Sequence, residues 1–188
     1  MEKILHKEQT SSREKVRILV QTGLFAALGC VATMVLQVPS PNGGYMNLGD
    51  AVVILGAWLL GPVYGAIAGG VGPAMADLLS GYVMYVPATL MIKAAMAVTA
   101  ALLYRAFRKR GLLVCAAAAE ILMIAGYWLF DAFLTYLAGG SSFAVCLAGS
   151  AVGLPSNFVQ GVFGGAASVL LALALRHSAF VRKTFPNL

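Results

Sequence analysis

The chain has 188 residues, 60% of them hydrophobic and 11% charged, with a mean hydropathy of +0.85. A soluble domain carries roughly a quarter charged residues, so this composition excludes a water-soluble globule and indicates an integral membrane protein. The formal charge of +6 does not point to nucleic acid, because the basic residues flank apolar spans and do not line a groove with aromatics.

The first seventeen residues carry Lys3, Lys7, Arg13, Lys15 and Arg17. The apolar run that follows, about 18–38, is long enough to span and lacks a clear small-residue cleavage site, so it reads as a retained helix and not as a signal peptide. The expected spans are roughly 16–38, 50–60, 64–81, 86–107, 112–138 and 154–175. The first ends at Pro39–Ser40–Pro41–Asn42–Gly43–Gly44, and Gly61–Pro62 separates the second from the third; both are turn signals. The second and third are short. The stretch 138–153 reads as an apolar outer loop, either folded on the bundle as a lid or lying as a connector in the headgroup region.

Six spans place both tails and the loop after the fourth helix on one side. Twelve of the thirteen Lys and Arg residues lie there: the N-terminal five, then Arg105, Arg108, Lys109 and Arg110, then Arg176, Arg182 and Lys183. The segments 39–49, 82–86 and 139–153 contain no Lys or Arg. Basic residues in short loops remain cytoplasmic, so the expected fold is an all-α integral membrane bundle of six transmembrane helices with both termini cytoplasmic, in the cell membrane. A tail of residues 1–15, a membrane domain of 16–176 and a tail of 177–188 complete the organisation.

Catalytic and cofactor signals are sparse. Cys30, Cys115 and Cys146 are odd in number and widely spaced, and none falls in a CxxC, so neither a disulfide framework nor a zinc site is expected. His6 and His177 lie in the two tails, and no metal site is expected. No GxxxxGK[ST] phosphate loop occurs, so the chain does not bind ATP in that way.

Five charged residues lie at or inside the spans: Asp50, Asp77, Lys93, Glu120 and Asp131. Such groups pair, face the bundle interior or line a solvated cavity. At a rise of about 1.5 Å per residue, all but the deeper Glu120 fall in the outer half. Glu120, Tyr127 and Asp131 lie within roughly 40° of one another at about 100° per residue, a single polar stripe on the fifth helix. Asn157 and Gln160 share a face of the sixth helix with Gly161 and Gly164, where the amides offer donors and acceptors. Tyr85 sits in a short outer loop, placed to close over a ligand, and Asn47 lies in the loop before Asp50. Structural alternatives stand beside these: Asp77 paired with Lys93 to lock the third helix to the fourth, Glu120 protonated and hydrogen-bonded in the core, and Asp50 as a helix N-cap. The convergence of amides, tyrosines and unbalanced acids toward one face favours a cavity open to the outside.

Small residues form the other pattern. Gly23–x–x–x–Ala27 and Ala26–x–x–x–Cys30 on the first helix, with Gly65, Gly69 and Gly72, permit close helix contact, either within the bundle or with a partner subunit.

Taken in order, Gly44–Tyr45–Met46–Asn47–Leu48–Gly49–Asp50, Leu60–Gly61–Pro62, Ala76–Asp77–Leu78–Leu79–Ser80–Gly81–Tyr82, Tyr85–Val86–Pro87–Ala88–Thr89 with Lys93, Glu120 through Asp131, and Pro155–Ser156–Asn157–Phe158–Val159–Gln160–Gly161 give the chain a family likeness. Over roughly residues 13–178 it resembles the substrate-binding S components of energy-coupling-factor (ECF) vitamin transporters, in the riboflavin-transporter-like group. The resemblance implies a six-helix bundle that captures a vitamin or precursor on the outer side. It implies as partners a transmembrane coupling subunit and two cytoplasmic ATPases, so that ATP is used by the partners and no cofactor by this chain. An Ala–x–x–x–Ala pattern on the family's first helix docks on the coupling subunit; the nearest matches here are Gly23 with Ala27 and Ala26 with Cys30.

Four acids against one Lys suit a weakly basic heteroaromatic cargo better than an anion, with Tyr85, Tyr127 and Trp128 available for ring contacts. A vitamin B6 form or the hydroxymethyl-pyrimidine precursor of thiamine is therefore favoured, and riboflavin comes second. Two other classes compete. One is a self-contained proton-coupled transporter using Asp77, Lys93 and Glu120. The other is an intramembrane enzyme, disfavoured because Leu78–Leu79–Ser80–Gly81 lacks the first Gly of GxSG and no intramembrane His can act as base.

Overall fold

The apolar run of the first span continues a helix that starts in the polar tail: α1 covers Glu2–Val35. A computed structural model describes residues 2–107, 110–139 and 141–185. Arg108 and Lys109 of the second basic cluster and Gly140 of the last outer segment lie outside the described residues, as do the side chains of Lys3 and Lys7. Helix α1 stops three residues short of the expected boundary because the next segment turns back on itself. Val38–Pro39 (β1) pairs antiparallel with Tyr45–Met46 (β2), with Val38 opposite Met46 and Pro39 opposite Tyr45. Gly43 closes this hairpin at φ +88°, and the Ser40 amide donates to the Gly44 carbonyl at 2.8 Å.

Helix α2, Gly49–Leu60, is twelve residues long, roughly 18 Å, and therefore shorter than a hydrocarbon core of about 30 Å. Eleven of its twelve residues are buried. It is a central helix, enclosed by α1, α3 (Pro62–Leu79), α4 (Val86–Ala106) and α7 (Leu154–Arg176). Its hydrophobicity all round follows from that enclosure. Gly61, at φ +84°, turns α2 into α3, and Pro62 starts α3 where its missing N–H costs nothing. Gly65 lets α3 lie against α2: a Cβ there would stand 2.7 Å from the Ala57 Cα.

A 3-10 turn, Val83–Tyr85, leads into α4, and Gly111 at φ +68° leads into α5, Leu112–Leu137. The expected outer loop of 138–153 is largely helical: α6, Phe143–Ser150, followed by a 3-10 turn, Ala151–Gly153. In apolar surroundings a backbone must satisfy its own hydrogen bonds, and this proline-free apolar run does so as a helix packed on α5. Trp128 donates its indole N–H to the Leu147 carbonyl at 3.0 Å, so it ties α5 to α6.

Two cross-helix contacts gather the basic residues at one end. Arg17 of α1 donates to the Thr184 carbonyl of α8 (Ala179–Thr184) at 2.7 Å, and Arg176 of α7 to the Tyr104 hydroxyl at 2.6 Å. The hairpin, the Val83–Tyr85 turn and α6 lie at the opposite end. Apolar residues cover the outside: Leu19, Val31, Leu113, Ile121, Phe163 and Leu170 are exposed, whereas Asp50, Asp77, Lys93, Glu120 and Asp131 are buried. That inversion of the soluble pattern is what a lipid solvent selects. Among the described residues, Ser12–Val35, Val83–Ala106, Leu112–Leu137 and Phe143–Arg176 are long and apolar enough to cross a bilayer. The chain is an all-α, multi-pass membrane protein.

Candidate functional site

Polar side chains converge in two layers at the hairpin end. The deeper layer is built on α2. Lys93 of α4 forms a salt bridge with Asp50 Oδ1, both side chains essentially inaccessible (1% and 0% exposed). Asp50 Oδ2 accepts from Gln160 Nε2 at 2.7 Å, and Gln160 Oε1 accepts from the Asn47 amide at 3.0 Å. This corrects two expectations. Lys93 pairs with Asp50, not Asp77, because the central helix α2 carries Asp50 between α4 and α7, where the desolvated ammonium lies. Nor is Asp50 an N-cap: α2 begins one residue before it, and the Gly49 amide is met by Asn47 Oδ1 at 2.9 Å.

The shallower layer is a small cavity of about 30 Å³. Ser40, Tyr45, Asn47, Asp77, Tyr85, Thr89, Tyr127, Asp131, Asn157 and Gln160 line it, with the Gly44 backbone. No Lys, Arg or His stands among them. The Tyr45 hydroxyl donates to Asp77 Oδ1 at 2.6 Å, and Tyr127 to Thr89 Oγ1 at 3.0 Å. Burial, reinforced by Asp77, pushes the Tyr45 phenol well above the usual tyrosine range, so it stays a donor. Over the top, Asn42 Nδ2 donates to Asp131 Oδ2 at 2.9 Å and to the Ser150 carbonyl at 2.8 Å. The Tyr85 hydroxyl lies 2.9 Å from Asp131 Oδ1 and 3.0 Å from the Asn42 carbonyl.

Of the ten residues expected to bind substrate, the structure brings Asn47, Asp77, Tyr85, Tyr127, Asp131, Asn157 and Gln160 to this cavity. Asp50 and Lys93 lie below it, spent on each other, with Lys93 Nζ 5.5 Å from the Tyr127 ring centroid. Lys93 is therefore not a cationic contact within the cavity. Glu120 lies away from it, beside a groove between α5 and α7. Both its oxygens are buried without a partner among the described residues, so the expected core hydrogen bond is not formed. Gly164 makes room for this group: a Cβ there would stand 2.9 Å from Glu120 Oε1 and 2.6 Å from the Asp50 Cβ.

The two small-residue patterns on α1 separate. Gly23 and Ala27 are exposed, with nothing within 4 Å of a Cβ placed at Gly23. Ala26 instead faces Gly72 of α3 through its backbone, and Cys30 sits half-buried with its thiol 3.8 Å from the Met34 sulfur. Ala26 thus serves packing within the bundle.

Residues 13–177 match the family described as ECF-type riboflavin transporter, S component. The chain belongs to that family. It is also 36% identical over 113 residues, 59% of its length and 75% of the relative's, to a Pyrococcus woesei protein described as "Uncharacterized protein in gap 3'region". As an ECF S component it is the substrate-binding subunit of a transporter, working with an ECF module of a transmembrane coupling subunit and ATPases on a small-molecule vitamin.

Sequence reasoning passed over several residues of this S component's cavity and its cover. Tyr45 and Thr89 lie within the segments that carry the family likeness, yet only their contacts, to Asp77 and Tyr127, show their place. Asn42 and Ser150 looked like turn and loop residues. Nothing local distinguishes a turn asparagine from one that reaches an acid 89 positions away.

Proposed function

We propose that this S component captures a weakly basic, single-ring heteroaromatic vitamin or precursor, a vitamin B6 form or a hydroxymethyl-pyrimidine, at the hairpin end of the bundle. The observation that carries this reading is the cavity lining: three tyrosines, two carboxylates, three amides and no basic side chain. With Lys93 committed to Asp50, an anionic cargo finds no cation there, whereas a ring bearing N–H or O–H donors finds acceptors and aromatic faces. The cavity is small, about 30 Å³, and the hairpin residues Ser40, Gly44 and Tyr45 form part of its wall, so in this reading the 38–46 hairpin moves as cargo enters.

In this reading the chain crosses the plasma membrane six times. Its basic end and both termini are cytoplasmic, its hairpin end is outside, and the exposed Gly23–Ala27 face of α1 meets the coupling subunit. Two ATPases of the module supply the energy. Riboflavin is the second reading, favoured by the description of the matched family. Native mass spectrometry of the purified protein tests the choice. A co-purified pyridine or pyrimidine supports the first reading, a flavin mass selects the second, and uptake that persists without any ATPase but collapses with a protonophore rejects both.

A further inference from the structure

The two acids that line the cavity are not equivalent. Both oxygens of Asp131 are already engaged by the cover, Oδ2 by Asn42 of the hairpin and Oδ1 by Tyr85. Asn42 also holds Ser150 at the end of α6. Asp131 therefore joins three outer segments to α5. Asp77 is 4% exposed; its Oδ1 accepts from Tyr45, the Thr89 hydroxyl stands beside the carboxylate, and its Oδ2 is buried with no hydrogen bond of normal geometry among the described residues. A buried acceptor without a donor is costly, more so for a charged group, and such a group in a cavity wall is the point where an incoming donor gains most. Asn157, also in the lining, is half-buried, and its side chain makes no hydrogen bond with another described residue.

We propose that Asp77 Oδ2 is the cargo's anchor, taking a hydrogen bond from a ring N–H or exocyclic amine, and that Asp131 fastens the cover and makes no direct contact with cargo. This rests on the preceding reading of the cavity as the cargo site and narrows the class within it. The preferred cargo carries a nitrogen-borne donor at the ring edge, as an aminopyrimidine does. Ring stacking alone, or an edge offering only acceptors, leaves the Asp77 oxygen unsatisfied. Tyr45 orients the carboxylate from its other oxygen and is a positioning residue.

Calorimetric titration of the full-length protein tests this with three probes: hydroxymethyl-pyrimidine bearing its exocyclic amine, the same ring with the amine replaced by methyl, and riboflavin. A charge-assisted hydrogen bond in a buried site accounts for on the order of 10–100-fold in affinity. The amine-bearing ring is expected to bind wild type tighter than the methyl analogue by that factor. Asp77→Asn should remove the preference while still binding the analogue, which also certifies its fold. Asp131→Asn should keep the preference and speed both association and dissociation. A preference that survives Asp77→Asn, or one that disappears in Asp131→Asn, overturns the assignment and leaves the cargo reading standing. Failure of wild type to bind either pyrimidine overturns the reading and the assignment together. Should Asp77→Asn not fold, equal affinity of wild type for the amine-bearing ring and its analogue overturns the assignment from the ligand side.

Discussion

Lys93 of α4 and Asp50 of α2 form a buried ion pair at the centre of the bundle, and Gln160 of α7 completes it through Asp50 Oδ2. Three helices are thus joined at one carboxylate, directly beneath the cavity. Removing one partner of a buried pair leaves an uncompensated charge, a loss of about 3–5 kcal/mol, whereas replacing both is often nearly neutral. Lys93→Met is therefore expected to lower the thermal midpoint of the detergent-solubilised protein sharply, and Lys93→Met with Asp50→Asn to recover most of it. Equal destabilisation by the single and double variants would show that the pair is not the joint.

The cover predicts a kinetic effect. Asn42→Ala removes two hydrogen bonds from the outer hairpin, to Asp131 and to Ser150, each contributing about 1 kcal/mol or somewhat more at the charged acceptor. Stopped-flow fluorescence should show faster association and faster dissociation of cargo, with a smaller change in their ratio. A change in dissociation alone would place Asn42 in contact with cargo.

Helix contact and partner contact can be separated by two glycines. Gly65→Ala drives a Cβ to 2.7 Å from the Ala57 backbone, and overpacking of this kind costs about 1–3 kcal/mol, measurable as a lowered melting midpoint. Gly23→Leu meets open space and should leave melting and cargo affinity unchanged while reducing co-purification with the coupling subunit. Undiminished co-purification would move the docking face elsewhere.

Alkaline stability follows from Tyr45. Its phenol is held above the ordinary value of about 10, chiefly by burial and then by Asp77. The folded state therefore holds this proton more tightly than the unfolded chain does. Stability from this group is unchanged below pH ~10 and falls as pH rises beyond it. Tyr45→Phe should flatten that alkaline fall in a melting series; an identical slope in both proteins would assign it to other groups.

Much of the fold was legible because it depends on properties of single residues. Apolar run length, the Pro and Gly breaks at 39–44 and 61–62, and the absence of Lys and Arg from three segments needed no knowledge of neighbours. The candidate site was half legible for a related reason. The periodicity of α5 placed Tyr127 and Asp131 on one stripe, and both line the cavity. Glu120 shares their stripe, but it faces α7 at a depth where Gly161 and Gly164 leave room for its side chain. Angle alone does not report depth, or which neighbour stands opposite.

The sequence by itself determined that this is an apolar helical bundle, that its basic residues avoid three of its loops, and that three of the four acids at or inside its spans lie toward one end, because hydropathy and charge act residue by residue. Only the tertiary structure decided the pairings. Asp50 and not Asp77 holds Lys93, Asp131 is taken up by Asn42 and Tyr85, and Asp77, in the cavity wall, keeps one buried carboxylate oxygen without a hydrogen bond among the described residues. Those outcomes depend on the rotation and offset of one helix against another, and in this chain they were set by α2, a twelve-residue helix enclosed at the centre of the bundle.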